Sequence, residues 1–184
     1  MKINSFVQRI APVAGWDDFV LRQVQKNTLE EIVSLIKKES KENGKSKFAK
    51  VRVQGSGIIA LFTGRNETMK TVAGEALANK LHLNLYKIDL SKVVSKYIGE
   101  TEKNLQRVFD ASDIKKSILL FDEADALFGK RSEVKDSHDR YSNKEVNYLL
   151  QHLESNRGVA IFNTKRKTDI DEAFMRRIRF VLHF

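Results

Sequence analysis

Apolar residues occur along this chain in two patterns, as short continuous runs and as stripes with helical spacing. The runs predict buried strands, and the stripes predict helices with one buried face. The predicted strands span 58–63, 83–90, 117–121, 159–162 and 180–184, and the predicted helices between them span 70–81, 101–111, 143–154 and 171–177. Strands that alternate with helices are typical of a parallel sheet. The sequence therefore predicts an α/β fold with a five-stranded parallel sheet flanked by helices.

The first fifty residues follow a different pattern. Thr28 and Glu31 have the spacing of a capping box and predict the start of a helix. Its predicted buried face consists of Leu29, Ile32, Val33 and Ile36. The lysine-rich stretch 37–50 predicts a loop. We expect residues 1–50 to form an N-terminal extension whose helix packs on the core, and residues 51–184 to form the α/β unit.

Composition narrows the function classes. The 184 residues suffice for one domain with a sizeable core. The net charge of +9 comes from 33 basic and 24 acidic residues, but only one aromatic side chain, Phe48, is interleaved with the lysines of 37–50. A solvated basic surface is therefore favoured over nucleic-acid binding. Since no apolar run approaches a membrane span or a secretion signal, we expect no membrane contact and a cytoplasmic location. The absence of cysteine excludes thiolate catalysis.

An acidic pair follows the apolar run 118–121. A carboxylate beside a bound triphosphate is unfavourable unless a cation neutralises it, so Asp122 is a candidate Mg²⁺ ligand. Glu123 is the candidate base that orients and deprotonates an attacking water. The alternative is a buried strand that ends at an acidic turn. The pair alone does not decide between the two, so the interpretation depends on a phosphate loop upstream.

A partial phosphate loop lies between the first predicted strand of the core and its helix. The segment 64–71, Gly-Arg-Asn-Glu-Thr-Met-Lys-Thr, matches GxxxxGK[ST] at its first glycine, its lysine and its hydroxyl. Lys70 is the predicted phosphate-binding cation, and Thr71 joins Asp122 as a predicted Mg²⁺ ligand. The predicted nucleotide-binding residues are Gly64, Glu67, Thr68, Met69, Lys70, Thr71, Val72 and Asp122.

Two residues of this segment disagree with the motif. Met69 replaces the second glycine, although a side chain there crowds the phosphate or the turn. Glu67 adds a negative charge beside a polyphosphate. We therefore expect ATP and Mg²⁺ to be the ligands, with weakened binding.

From about Trp16 to Phe184 the chain resembles the ATPase module of the AAA family. Asp122 and Glu123 correspond to the Walker B pair of that family, and Lys70 and Thr71 to the end of Walker A. The further matches are Asn163 as sensor 1 and Arg176 and Arg179 at the spacing of arginine fingers. The resemblance implies a three-layer sandwich of the P-loop NTPase type. It also implies catalytic roles for Glu123, Asn163, Arg176 and Arg179.

The resemblance has consequences for assembly and substrate. Arginine fingers in this family reach the nucleotide of a neighbouring subunit, which implies a ring, usually a hexamer, of this chain or of related AAA subunits. Tyr97 and Ile98, followed by Gly99, match the first pore loop, which grips a protein substrate. The alternative is that both side chains fold back into the core.

The family continues past the last predicted strand into a helical lid over the adenine, whereas this sequence ends there. We expect the C-terminal lid to be absent and adenine contacts to come from Asp18, Phe19 and Val20. The predicted function is an ATP-binding module of a ring-forming protein-remodelling machine, impaired in this chain. The alternatives are a non-hydrolytic scaffold or regulatory subunit and, more weakly, a nucleic-acid adaptor.

Overall fold

A computed structural model of the chain describes residues 5–16, 20–45, 57–111, 117–128, 138–156 and 159–184. Its strands form one sheet in the order β1-β3-β4-β5-β2-β6. The strands are β1 (Val7–Ile10), β2 (Ile58–Thr63), β3 (Asn84–Asp89), β4 (Ser117–Asp122), β5 (Val159–Thr164) and β6 (Phe180–His183).

Seven α-helices and a 3-10 helix over Lys167–Asp169 accompany these strands in the described parts of the chain. They are α1 (Gln23–Lys45), α2 (Glu67–Leu81), α3 (Leu90–Val93), α4 (Glu100–Ala111), α5 (Asp125–Phe128), α6 (His138–Asn156) and α7 (Glu172–Met175). None of the helices described here combines the length and apolar content that a membrane span requires.

The predicted five-stranded parallel sheet is confirmed for β2 to β6, whose neighbouring strands all pair in parallel. The sixth strand, β1, was not predicted. It pairs antiparallel with β3 at the sheet edge, in register from Val7 opposite Ile88 to Ile10 opposite Leu85. Antiparallel edge strands on parallel sheets are common. The N-terminal part of the chain thus extends the same sheet.

Alternating residues of β4 enter two separate hydrophobic clusters. Ile118 and Leu120 pack with residues of α1 and α2, whereas Leu119 and Phe121 pack with residues of α4 and α6. Because successive side chains of a strand point to opposite faces, helices must cover both sides of such a strand. The result is the expected three-layer sandwich.

Three helix starts lie earlier in the chain than predicted, and the third is that of α6, which begins at His138 instead of residue 143. Helix α1 begins at Gln23, so Thr28 lies inside it, where its Oγ1 donates to the carbonyl of Val24 at 3.0 Å instead of capping the helix. The same helix continues to Lys45 through most of the predicted loop. Helix α2 begins at Glu67, three residues early, because the Asn66 side chain caps it.

Candidate functional site

The candidate functional residues converge at the carboxyl edge of the parallel sheet. Lys70 lies in the first turn of α2, which follows β2. Asp122 is the last residue of β4, and Asn163 is the last residue but one of β5. Asn163 Nδ2 donates to Asp122 Oδ1 at 2.6 Å, and Lys70 Nζ donates to the carbonyl oxygen of Thr164 at 3.0 Å. Such edges, where parallel strands end, are the usual ligand sites of α/β proteins. This edge therefore brings together motif residues that lie up to about ninety positions apart in the sequence.

Gly64 holds the junction between β2 and the turn that follows. Its φ is +126°, and its N–H donates to the carbonyls of Thr164 and Lys165 at 3.2 and 3.1 Å. A Cβ at this position would lie 1.9 Å from the carbonyl oxygen of Phe184. Glycine is therefore required here by backbone conformation and by close packing, independently of any phosphate.

Gly64→Ala is expected to lower the free energy of unfolding by about 2–4 kcal/mol, through positive-φ strain and overpacking against Phe184. Urea unfolding measures the loss. Gly74→Ala is the matched control, because a Cβ there lies 3.4 Å from Leu120 Cδ1 and the helix gains propensity. Equal losses in the two variants would contradict the close approach at Gly64.

The segment predicted as a phosphate loop is largely helical. The N–H groups of Glu67, Met69 and Lys70 donate to Arg65 O, Asn66 Oδ1 and Asn66 O at 3.1, 3.0 and 3.2 Å. A phosphate loop binds anions through free N–H groups, so three of the expected donors are engaged within the chain. The loop proper is reduced to the short turn 64–66.

The ammonium group of Lys70 has an internal counter-ion. Lys70 is fully buried, and its Nζ donates to Glu67 Oε1 at 3.1 Å as well as to Thr164. Residues three apart on a helix lie on the same face, so the early start of α2 creates this pair. The Glu67 side chain is 48% exposed. An incoming phosphate must therefore compete with Glu67 for Lys70.

Lys87 contacts the predicted Mg²⁺ ligand Asp122 and was not foreseen from the sequence. Its Nζ lies 2.6 Å from Asp122 Oδ2. Together with the amide of Asn163 on Oδ1, this ion pair engages both carboxylate oxygens. No sequence signal indicates the contact, because it depends on the register of β3 beside β4.

Glu123 adopts a left-handed backbone conformation at the end of β4. Its φ is +54°, and the next residue, Ala124, donates its N–H to the carbonyl of Asn163 at 2.9 Å. The conformation is unfavourable for a glutamate by about 1 kcal/mol, so the tie to β5 holds it in place. The side chain is partly exposed, with Lys165 Nζ 4.0 Å from its Oε1. It thus keeps access to solvent at the same edge, as a base would require.

Asn163 has one unsatisfied polar atom. The residue is almost fully buried, and its Oδ1 has no hydrogen-bond partner in the described parts of the chain. A buried acceptor without a partner is unfavourable by about 1–3 kcal/mol. The amide therefore keeps its hydrogen bond to Asp122 although its own oxygen stays unpaired.

The donor set fits Mg²⁺ bound together with a nucleotide. Thr71 supplies a hydroxyl and Asp122 a carboxylate, and hard oxygen donors are the ligands that Mg²⁺ prefers. The described residues contain no cluster of three or more acidic, histidine or cysteine side chains that could hold a metal by themselves. Water or phosphate oxygens must complete such a site, as is usual for Mg²⁺. Thr68 and Val72 lie beside these residues in the first turns of α2.

Asp89 is a second carboxylate at this edge, opposite Asp122 in the register. It caps α3 by accepting from the Ser91 N–H at 3.1 Å, and Lys92 Nζ lies 2.6 Å from its Oδ2. Burial alone would raise the pKa of Asp89, but the hydrogen bonds from Lys92 and Ser91 outweigh it and hold the pKa below the usual value. Asp89 is therefore ionised at neutral pH.

The predicted arginine fingers do not reach this edge within one chain. The N–H of Arg179 donates to the carbonyl of Ile59 at 2.9 Å, near the amino end of β2. Arg176 and Arg179 are both exposed. Parallel strands have their amino and carboxyl ends at opposite edges, so the two arginines lie away from Lys70 and Asp122.

Tyr97 and Ile98 are solvent-exposed, with 65% and 68% of their surfaces accessible. They lie in the turn between α3 and α4, which Gly99 enables with a φ of +75°. The alternative in which both side chains fold back into the core is wrong. Of the residues predicted to contact adenine, Val20 is exposed, whereas Asp18 and Phe19 lie outside the described residues.

Comparison with known proteins agrees with this architecture. A chain in the structure of the E. coli MS115-1 HORMA:CdnC:Trip13 complex superimposes with a TM-score of 0.65 at 18% identity, over 97% of this chain and 69% of that chain. At this identity the likeness shows the fold alone. It supports the P-loop NTPase type of sandwich.

Sequence relatives are more informative. Peroxisomal ATPase PEX6 of Penicillium chrysogenum is 32% identical over 92% of this chain, which spans 12% of that protein. The AAA family ATPase y4kL of Sinorhizobium fredii is 30% identical over 97% of this chain, which spans 52% of that protein. The sequence model of the family described as "ATPase family associated with various cellular activities (AAA)" matches residues 60–184 of this chain. The chain therefore belongs to the AAA ATPase family.

Proposed function

We propose that this chain is the ATP-binding module of a ring-forming AAA machine that remodels proteins, and that its own phosphate-loop segment restrains the use of ATP. The observation that carries the proposal is the convergence of Lys70, Asp122, Glu123 and Asn163 at one sheet edge. In this assignment residues 51–184 form the large AAA subdomain and residues 1–50 an extension of it. The location we propose is cytoplasmic.

In the proposed chemistry Lys70 binds phosphate oxygens, and Thr71 and Asp122 would hold Mg²⁺, which would supply positive charge beside the phosphates. Asn163, whose amide holds Asp122 at the sheet edge, positions the attacking water, and Glu123 takes its proton. Arg176 and Arg179 act on the nucleotide of a neighbouring subunit, which their exposed position away from Lys70 supports. A guanidinium group there stabilises negative charge that develops during transfer.

Tyr97 and Ile98 are the proposed contacts to a protein substrate. Large exposed apolar side chains on a turn are otherwise unfavourable in water. An aromatic and an aliphatic side chain can contact many peptide sequences, so they do not define one client. No described feature favours nucleic acid in their place.

One observation favours the alternative of a non-hydrolytic scaffold or regulatory subunit. The carboxylate of Glu67 forms an ion pair with Lys70, and three N–H groups of the predicted phosphate loop already donate to acceptors within the chain. A chain that has lost tight nucleotide binding can keep the fold and its ring contacts. The two proposals differ in whether ATP enters the site.

Calorimetric titration with ATP and Mg²⁺ separates them. If the chain binds ATP, we expect Lys70→Ala to weaken binding at least about tenfold, because a charged hydrogen bond to phosphate is lost. Lys80→Ala removes the same charge from the exposed end of the same helix and should leave binding unchanged. Failure of the unmodified chain to bind millimolar ATP would favour the scaffold.

A further inference from the structure

Lys87 occupies the position of a cation at Asp122. On β3 it lies opposite Leu120 of β4, and Asp89 lies opposite Asp122. Residues two apart on a strand share a face, so Lys87, Asp89 and Asp122 all lie on the face covered by α2. The Lys87 side chain extends toward the carboxyl edge and brings its Nζ to 2.6 Å from Asp122 Oδ2.

This pairing is selective. Asp89 is the nearer carboxylate along the strand, but Lys92 Nζ already lies 2.6 Å from it. The Lys87 and Asp122 side chains are 32% and 15% exposed, whereas the Lys92 side chain is 64% exposed. An ion pair that is partly withdrawn from water is screened less than an exposed one. The contact at Asp122 is therefore the stronger of the two.

The site chemistry gives this contact a consequence. A divalent ion that binds Asp122 must come close to the Lys87 ammonium group, which repels it, because Lys87 holds one carboxylate oxygen and Asn163 the other. We propose that Lys87 is a tethered cation that competes with Mg²⁺ for Asp122 and makes nucleotide binding by this chain weakly dependent on Mg²⁺. The nucleotide part rests on the proposed function, whereas the competition for Asp122 does not.

The test uses Mn²⁺ as a probe for Mg²⁺, with free Mn²⁺ followed by electron paramagnetic resonance in the presence and absence of ADP. Lys87→Met removes the charge and keeps an apolar side chain, and it is expected to bind Mn²⁺ about tenfold more tightly than the unmodified chain. Lys92→Met loses an ion pair of the same length at Asp89 and should behave like the unmodified chain. Adding Asp122→Asn to Lys87→Met should abolish the gain.

A second readout is ADP affinity with Mg²⁺ or with EDTA. Between EDTA and Mg²⁺, the ADP affinity of the unmodified chain is expected to change by less than about threefold and that of Lys87→Met by about tenfold. The reason is that only the variant leaves Asp122 open to the metal. Equal Mn²⁺ binding by the two proteins would overturn the inference. If ADP binds to none of the variants, the proposed function fails, and Mn²⁺ binding without ADP still decides the role of Lys87. Lys87→Gln replaces Lys87→Met if the latter does not fold.

Discussion

Replacing Glu67 and Met69 together by glycine is expected to strengthen ATP binding by about 10- to 100-fold, which corresponds to about 1.4–2.7 kcal/mol. The change releases Lys70, whose Nζ now lies 3.1 Å from Glu67 Oε1, and removes a negative charge from the phosphate position. Opposite charges about 4 Å apart interact by about 4 kcal/mol near a protein surface, and the exposure of Glu67 lowers this through screening. Calorimetric titration measures the gain.

Two single variants separate the effect of the Glu67 charge on ATP binding from the effect of the helical backbone at Met69. Glu67→Gln tests the charge, and Met69→Gly tests whether the first turn of α2 must open to free its N–H groups. Glu75→Gln makes the same change in charge two turns along the helix and should not alter binding. Each glycine in the helix should also lower stability by about 1 kcal/mol. Unchanged ATP affinity in the double variant would refute the account of the phosphate-loop segment.

The sheet was predictable because its strands are buried on both faces. All six residues of β2 and of β5 are buried, and such apolar runs are visible without knowledge of their partners. The strand β1 was missed because it has four residues, of which only Val7 is fully buried. The start of α1 was predicted wrongly because Thr28 and Glu31 have the spacing of a capping box. In the structure the Thr28 hydroxyl donates to the carbonyl of Val24, one turn earlier in the same helix.

At the candidate site, the motifs predicted which side chains share one edge but not what they contact. The pair of Glu67 with Lys70 follows from a helix start that the capping side chain of Asn66 sets. The pair of Lys87 with Asp122 depends on strand register over 35 positions. An ion pair between two strands cannot be predicted without the strand register, because residue type alone does not identify the partner.

Glu123→Gln is expected to lower the rate of ATP hydrolysis by about 100- to 1,000-fold while ATP binding is kept, because an amide cannot accept the proton of the attacking water. The variant is best made in the Glu67→Gly, Met69→Gly background, where occupancy of the site is expected to be higher. Gln has the same shape as Glu, so the positive φ of 54° at this position is equally strained in both. Single-turnover phosphate release measures the rate.

Asp125→Asn is the matched control, since it changes a neighbouring exposed carboxylate to an amide at the start of α5. Its present contact, in which Thr164 Oγ1 donates to Oδ1 at 3.3 Å, survives in an asparagine. We expect hydrolysis within about twofold of the parent, as for a surface change away from the chemistry. If Glu123→Gln leaves phosphate release unchanged in a background that binds ATP, Glu123 is not the base. The left-handed turn that holds it at the sheet edge would then serve only the connection between β4 and β5.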